Sequence, residues 1–243
     1  MRAILTYHSV DTTGSPISVS PREFSTHVKW IASGAVRVVP LQELSQIPER
    51  TDALALTFDD GLQSAIEIAG PTLRDHALPA TFFIPTAHVG GDNRWGGGDD
   101  ASIPVMPVAD WDTLGRLADE GFEIGAHTRT HPRLPMCDDA QLTDELEGAI
   151  EDIVTHIGHT PRSFAYPYGT IDDRVRRAVT RRYAIGCTTE LRVLQNTDPR
   201  ECLPRLDAWY LRQPGRLQAW GSLRFSGYLG MRRVARRLRA TWS

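Results

Sequence analysis

The stretch Ala53–Gly61, which reads ALALTFDDG, constrains the fold more than any other part of the chain. Its first six residues have the length and composition of a buried β-strand, and two carboxylates and a glycine follow them. A strand alternates its side chains between two faces, so we expect Asp59 and Asp60 to point in different directions. Open α/β sheets and α/β barrels place their sites at such strand ends. One carboxylate is then available to bind a metal and the other to accept protons, although an ordinary turn before a helix N-cap gives the same residues.

A second polar cluster, Gly125–His131, follows the short apolar segment 122–124 and is also predicted at a strand end. His127 and His131 are four residues apart, so their imidazoles meet on one face if the chain turns helically after the strand. Asp60 is the third ligand in this interpretation. One carboxylate and two histidines leave coordination positions open, as catalytic metal sites require. Two histidines at this spacing are a weak signal alone, and the Asp-Asp-Gly strand end makes the combination stronger.

Segments with strand and helix patterns alternate along the chain, which predicts parallel βαβ units. The chain has 243 residues and is 41% hydrophobic, enough for one full-sized core. We therefore predict an α/β fold, a distorted (β/α) barrel with about seven parallel strands and its active site at the C-terminal ends of those strands. The strands are expected at 3–10, 36–41, 53–58, 80–85, 122–126, 163–166, 184–188 and 203–211.

A third stretch, Ser163–Gly169, runs from apolar residues into a Pro/Gly turn. With Thr57–Gly61 and His127–His131 it completes three motifs in order, and on these the chain resembles the polysaccharide deacetylase (NodB-homology) family, carbohydrate esterase family 4, over roughly residues 1–210. The resemblance implies a distorted barrel and a metal-dependent hydrolase that removes N-acetyl groups from an amino sugar of a glycan or glycan precursor.

The resemblance also implies roles for the first two motifs. Asp60, His127 and His131 are expected to bind one divalent ion, most readily Zn²⁺, with Co²⁺, Ni²⁺, Mn²⁺ or Fe²⁺ as alternatives. Such an ion polarises an acetamide carbonyl and lowers the pKa of a bound water molecule. Asp59 is then the general base that takes the proton of the attacking water.

In the third motif, the resemblance places an oxyanion donor at the backbone N–H of Tyr168. Tyr166 and Pro167 are expected to form a wall of the acetate pocket. The Gly-rich loop 90–100 interrupts the alternation of strands and helices, and Trp95 within it is either a stacking platform for a sugar ring or a residue that packs on the rim of the barrel.

Two departures from the family pattern affect the predicted chemistry. Many members carry an arginine that pairs with the catalytic aspartate where this chain has Ala165. We expect Arg205 to replace it, although an ordinary surface arginine is the alternative. Many members also carry a late histidine as general acid, and this chain has none after His159. His8, at the end of the first predicted strand, is the leading replacement, and a structural histidine is the alternative.

The last part of the chain differs in charge from the rest, which favours a catalytic domain over residues 1–214 and a basic tail over 215–243. The tail holds seven of the 27 Lys and Arg residues and none of the 30 Asp and Glu residues. Five apolar residues fall on one helical face among arginines: Met231, Val234, Ala235, Leu238 and Trp242. This pattern is typical of helices on anionic membrane surfaces. The alternatives are packing on the acidic barrel or partial disorder, and no motif indicates nucleic acid as a partner.

Cys137, Cys187 and Cys202 are too few and too scattered for a disulfide framework. The residues that follow Met1 lack the apolar region of an export signal, so we expect a cytoplasmic protein, possibly peripheral at the inner membrane surface. An N-acetylated, lipid-linked glycan precursor suits that location as substrate. Three alternatives stay open: an O-acetyl esterase, a related hydrolase of cyclic-amide C–N bonds, and a catalytically silent glycan-binding module.

Overall fold

The structure is a computed structural model that describes residues 1–95 and 102–240, without the side chains of residues 237, 239 and 240. Its strands are β1 (Arg2–Tyr7), β2 (Ser9–Val10), β3 (Ser18–Val19), β4 (Arg37–Val38), β5 (Ala53–Phe58), β6 (Ala80–Ile84), β7 (Glu123–Ala126), β8 (Ser163–Ala165), β9 (Ile185–Cys187) and β10 (Leu206–Asp207). Its α-helices are α1 (Pro21–Trp30), α2 (Leu41–Leu44), α3 (Gln63–Asp75), α4 (Trp111–Asp119), α5 (Asp139–Thr143), α6 (Ala149–Ile157), α7 (Asp173–Thr180) and α8 (Leu223–Ala240).

The main sheet has the strand order β10-β1-β5-β6-β7-β8-β9, every neighbouring pair is parallel, and β4 joins the start of β5. The segment from Leu203 to Asp207 connects its two edges, because Leu203 bridges to Cys187 of β9 while Leu206 and Asp207 pair with β1. The sheet therefore curls into a distorted barrel, and the predicted α/β fold of about seven parallel strands is confirmed.

The two longest strands of the main sheet, β1 and β5, are buried at every position. Parallel strands that are covered on both faces are expected to be this apolar. On one side of the sheet the rings of Tyr7, Phe58 and Phe82 stack in sequence, with centroids 5.1 Å and 4.7 Å apart. This packing fixes the ends of β1, β5 and β6 relative to each other, and these ends carry the polar residues of the site.

The chain is helical from Asp139 to Ile157 but contains a wide turn. Between α5 and α6 the segment Asp144–Gly148 follows π-helical hydrogen bonding. Such a turn shifts the side chains after it around the helix axis, and π-turns are frequent at functional sites. Here the turn contains Glu145, which is buried although it carries a carboxylate.

The first half of the basic tail packs on the barrel. Leu217, Phe225 and Leu229 are buried in the same hydrophobic core as the barrel strands, and the Tyr228 hydroxyl donates to the Tyr210 carbonyl at 2.6 Å. The burial of these apolar side chains therefore depends on the barrel.

Beyond Gly230 the tail presents apolar residues to solvent: Met231 is 59% exposed, Val234 58% and Leu238 60%. Trp242, predicted on the same face, lies outside the described residues. No helix in the described ranges combines the length and the apolar character needed to span a bilayer.

Candidate active site

The site residues converge at the C-terminal ends of neighbouring strands. The carboxyl ends of parallel strands meet at one edge, so residues far apart in sequence become neighbours there. The residues just after β1, β5, β7 and β8 and just before β10 supply the group: His8, Asp59, Asp60, His127, His131, Tyr168 and Arg205.

Three possible ligand atoms form a compact triangle. Asp60 Oδ1 lies 3.4 Å from His127 Nε2 and 3.5 Å from His131 Nε2, and the two imidazole nitrogens are 3.2 Å apart. All three side chains are buried. Ligands about 2.0–2.1 Å from a tetrahedral ion are separated by about 3.3–3.4 Å, so the triangle has the size that a Zn²⁺-like ion requires.

The tautomer of His127 is set by its neighbour. Its Nδ1 lies 2.7 Å from the Ala165 carbonyl oxygen, and a carbonyl only accepts, so Nδ1 carries the proton. In the neutral ring Nε2 therefore has a free lone pair toward Asp60 and His131. A second contact of this kind is the usual way in which proteins orient a metal-binding imidazole.

The charges of the triangle also suit a cation. Burial opposes ionisation of Asp60, yet the neighbouring His127, when protonated, holds the pKa of this carboxyl well below the usual range. Burial and the charge of His127 lower the pKa of His131 to about 3, which keeps that imidazole neutral. Burial opposes protonation of His127, but Asp60 and Asp59 raise its pKa, so this imidazole must release its proton when a metal binds.

The backbone near the triangle is held in unusual conformations. Among the described residues other than glycine, four of the five with left-handed φ values lie here: Asp60 at 70°, Thr128 at 66°, His131 at 60° and Tyr168 at 59°. Such conformations persist only where surrounding contacts impose them, and they cluster at functional sites. These left-handed turns set the orientation of Asp60 and His131. The secondary-structure propensities of residues at a strand end do not predict such turns.

Asp59 is ion-paired and almost fully buried. Its two oxygens accept hydrogen bonds from Arg205 Nη1 at 2.6 Å and Nη2 at 2.7 Å, and Arg205 is 1% exposed. The Thr188 carbonyl accepts from Arg205 Nε at 2.9 Å, and Thr6 Oγ1 from Nη1 at 3.1 Å. Arg205 is thus no surface residue, and it holds a carboxylate beside the triangle.

This pairing sets the ionisation of Asp59. Burial alone would raise its pKa, but the charge and hydrogen bonds of Arg205, together with the charges of His127 and His8, outweigh burial and lower the pKa below its usual value. His8 Nε2 lies 3.8 Å from Asp59 Oδ2, and the His8 side chain is 23% exposed. His8 therefore stands between the ion pair and solvent, where a substrate can reach it.

Some residues of the third motif lie in the candidate active site and others in the hydrophobic core. Tyr168 is half-exposed, its ring lies 4.8 Å from that of His131 and beneath the Arg133 guanidinium, and its N–H has no acceptor among the described residues. Pro167 is buried at the start of the turn. Tyr166 differs from the expectation, because its ring is completely buried and its hydroxyl donates to the Glu201 carbonyl at 2.8 Å. Its side chain belongs to the core, and only its backbone borders the turn.

Trp95 lies at the edge of the triangle. Its ring centroid is 4.7 Å from that of His131 and 5.2 Å from that of His88. The remainder of the Gly-rich loop, residues 96–100, lies outside the described residues. Trp95 thus adds an aromatic surface beside a possible ligand, which is compatible with both uses predicted for it.

One residue that organises the site was not predicted. Glu145 accepts hydrogen bonds from the backbone N–H groups of Arg129 and Thr130, each at 2.8 Å, and from the Thr130 hydroxyl. The turn between the two histidines is therefore tied to the wide turn after α5. In the sequence, Glu145 was recognisable only as a glutamate at a position that the helical pattern predicts to be buried.

The chain is similar in sequence to known proteins over the region that contains these residues. Residues 46–184 match the family model for polysaccharide deacetylases. The chain is 24% identical over 168 residues to the poly-beta-1,6-N-acetyl-D-glucosamine N-deacetylase of Staphylococcus aureus, an alignment that covers 64% of this chain and 55% of that protein. The chain thus spans little more than half the length of that curated relative.

Two solved structures share the fold. IcaB from Ammonifex degensii superimposes with a TM-score of 0.71 at 22% identity, over 86% of this chain and 93% of that one. The Streptococcus pyogenes deacetylase PplD, in complex with acetate, gives a TM-score of 0.71 at 19% identity, over 84% and 91%. The matched region of the family model covers more than half of this chain and includes all three motifs. The chain belongs to the polysaccharide deacetylase family.

Proposed function

We propose that this chain hydrolyses the N-acetyl group of an amino sugar in a glycan or glycan precursor. The observation that carries the proposal is a buried, ionised carboxylate, Asp59, beside a separate triangle of metal ligands. A glycan-binding module needs no buried base held by an arginine, so the pairing of Asp59 with Arg205 favours an enzyme over a silent module.

Asp60, His127 and His131 would hold one divalent ion, and Zn²⁺ is our choice because the mixed nitrogen and oxygen set has tetrahedral dimensions. When bound, such an ion would polarise the acetamide carbonyl and acidify a water molecule. Ala165 contributes by orienting His127, and Thr128 by accepting the His131 N–H at 2.9 Å through its hydroxyl.

Asp59 would accept the proton of the attacking water. Arg205 keeps its carboxylate ionised at neutral pH, at the expense of basicity, because the pKa that favours the ionised form also weakens the base. His8 is placed to donate a proton to the departing amine, since its Nε2 is near Asp59 and its ring is accessible. The backbone N–H of Tyr168 would stabilise the oxyanion, and Pro167 and Trp95 would border the substrate.

The test is acetate release from N-acetylated and O-acetylated oligosaccharides. We expect N-acetylated substrates to be preferred and a chelator to abolish release. Asp59→Asn should retain stoichiometric zinc by mass spectrometry and lose about 100-fold or more in rate, because it lacks the base. His127→Ala should lose the zinc. Turnover by Asp59→Asn near that of the wild type would refute the assignment, and a preference for O-acetyl groups would favour an esterase.

A second part of the proposal concerns the substrate's location. The exposed side chains of Met231, Val234 and Leu238 share one face of α8, which also carries arginines. This suits peripheral contact with an anionic membrane and hence a lipid-linked glycan.

Co-sedimentation with vesicles that contain anionic lipid checks the membrane contact. The intact chain should bind and salt should weaken binding, whereas a chain with Met231, Val234 and Leu238 replaced by serine should bind less. The three residues are exposed, so the serine variant should keep its thermal midpoint. Equal binding by both chains would remove the membrane from the proposal.

A further inference from the structure

A cavity of about 420 Å³ lies between the barrel rim and the second half of α8. Its rim side comes from the loops after β8 and β9, including Gly169, Ile171 and Leu191. These loops follow the C-terminal ends of parallel strands, so the cavity opens on the same side of the barrel as Asp59 and Asp60. Its volume is within the range of small-ligand sites.

Two residues that line the cavity are linked to residues of the candidate active site. Gly169 follows Tyr168, whose ring packs on His131. Thr188, another lining residue, accepts a hydrogen bond through its carbonyl from Arg205, which holds Asp59. A glycan residue in the cavity would therefore neighbour the sugar that is deacetylated.

The charge of the cavity comes from two arginines of α8. Arg233 Nη2 pairs with Glu190 Oε1 at 2.9 Å, so that charge is compensated. Arg236 has no hydrogen bond or ion pair within the described part of the chain, and its guanidinium lies 5.8 Å from the centre of the Tyr210 ring. Burial raises the pKa of the nearby Asp207 carboxyl, and the charge of Arg236 opposes that rise. The residues that line the cavity thus include two arginines and one glutamate, an excess of one positive charge. Ile171 and Leu191 give it an apolar wall of the kind that packs on the C–H face of a sugar.

We propose that this cavity is a subsite for a sugar that carries a singly charged oxyanion, a carboxylate or a phosphodiester, next to the acetylated sugar. Arg236 supplies the charged hydrogen bonds, because a guanidinium matches both groups with two parallel donors. The proposal rests on the proposed function only for the identity of the ligand as a glycan. Under this proposal, the substrate is an acidic heteroglycan rather than a neutral homopolymer.

The test measures binding, not turnover, of three oligosaccharides that contain no acetyl group, by isothermal titration with the intact zinc-loaded protein. They carry, next to a glucosamine, a glucuronate, a glucose 6-phosphodiester or a neutral glucose. We expect at least one acidic ligand to bind about tenfold more tightly than the neutral one, as charged hydrogen bonds at a half-buried site provide. The ligand that binds identifies the source of the oxyanion.

Variants assign the effect to the cavity. Arg236→Gln should reduce the preference for acidic ligand to about onefold, and Arg236→Lys should keep part of it. Arg224→Gln removes the same charge from an exposed position of α8 outside the cavity, and it should keep the full preference. Equal binding of all three oligosaccharides, or an equal loss in Arg236→Gln and Arg224→Gln, overturns the proposal. Because no acetyl group is present, neither outcome depends on whether the chain deacetylates.

Discussion

The ion pair between Arg205 and Asp59 leads to a quantitative prediction about stability. In Arg205→Met the Asp59 carboxylate loses both hydrogen bonds from the guanidinium, at 2.6 Å and 2.7 Å, while it stays buried. The Thr188 carbonyl also loses its donor. Removing one partner of a buried pair costs about 3–5 kcal/mol, because an uncompensated charge is left in a poorly solvated place. At about 2–4 °C per kcal/mol for a chain of this size, the thermal midpoint should fall by about 6–20 °C.

A double variant distinguishes this cause from a simple loss of packing. In Asp59→Asn with Arg205→Met, neither charge remains, so the penalty for an isolated buried carboxylate disappears. The double variant should therefore be less destabilised than the sum of the two single variants, by about 1–3 kcal/mol. Arg22→Met, a change of the same type at an exposed position of α1, should stay within about 0.5 kcal/mol of the wild type.

The assay is thermal and urea unfolding of all four variants and the wild type at pH 7.5 with the same excess of zinc. Metal content measured on each sample shows whether the Asp60 site is intact. A midpoint for Arg205→Met within about 2 °C of the wild type would refute the reasoning. Full additivity of the two substitutions would also contradict it, because independent effects leave no role for the pair.

Three further predictions concern residues around the site and the core. Burial lowers the pKa of His27 below its usual value, so the unfolded chain binds a proton at this residue more readily than the folded chain. The free energy of unfolding should therefore fall as pH drops below about 6.5, by up to about 1.4 kcal/mol per pH unit. Urea unfolding should show a weaker fall in His27→Gln. Glu145→Gln weakens the charged acceptor of the histidine turn, so we expect lower zinc affinity, about 10-fold by competition with a chelator, with less than 1 kcal/mol lost in the zinc-free protein. In Gly125→Ala the new Cβ would lie 2.6 Å from a ring carbon of Phe83, and we expect a loss of about 1–3 kcal/mol in urea unfolding.

The sequence by itself determined the class of fold and the set of residues to examine. Buried parallel strands are mostly apolar because both faces are covered, so Ala53–Phe58, with Thr57 as its one polar residue, is recognisable without neighbours. Polar residues directly after such a strand are conspicuous for the same reason, and this identified Asp59, Asp60 and the two histidines. The capping box of Ser20 and Glu23 at the start of α1 likewise follows from two residue types at a fixed spacing.

Other features were decided only by tertiary structure. The pairing of Arg205 with Asp59 joins residues 146 positions apart, and it depends on how the segment Leu203–Asp207 closes the sheet. Sequence suggested Arg205 only as a replacement for a missing arginine. Tyr166 and Tyr168 are two residues apart in one turn, yet one ring is in the core and the other beside His131.

The reason is the range of the interactions. Strand burial, caps and turn residues are set by local composition, which the sequence contains directly. The ligand triangle, the orientation of His127 by the Ala165 carbonyl and the cavity at Arg236 depend on contacts between distant segments. The position of a backbone carbonyl, or a left-handed φ value at a residue other than glycine, cannot be recognised from the type of side chain. The sequence therefore predicted most residues of the candidate site, and the closed sheet determined how their atoms meet.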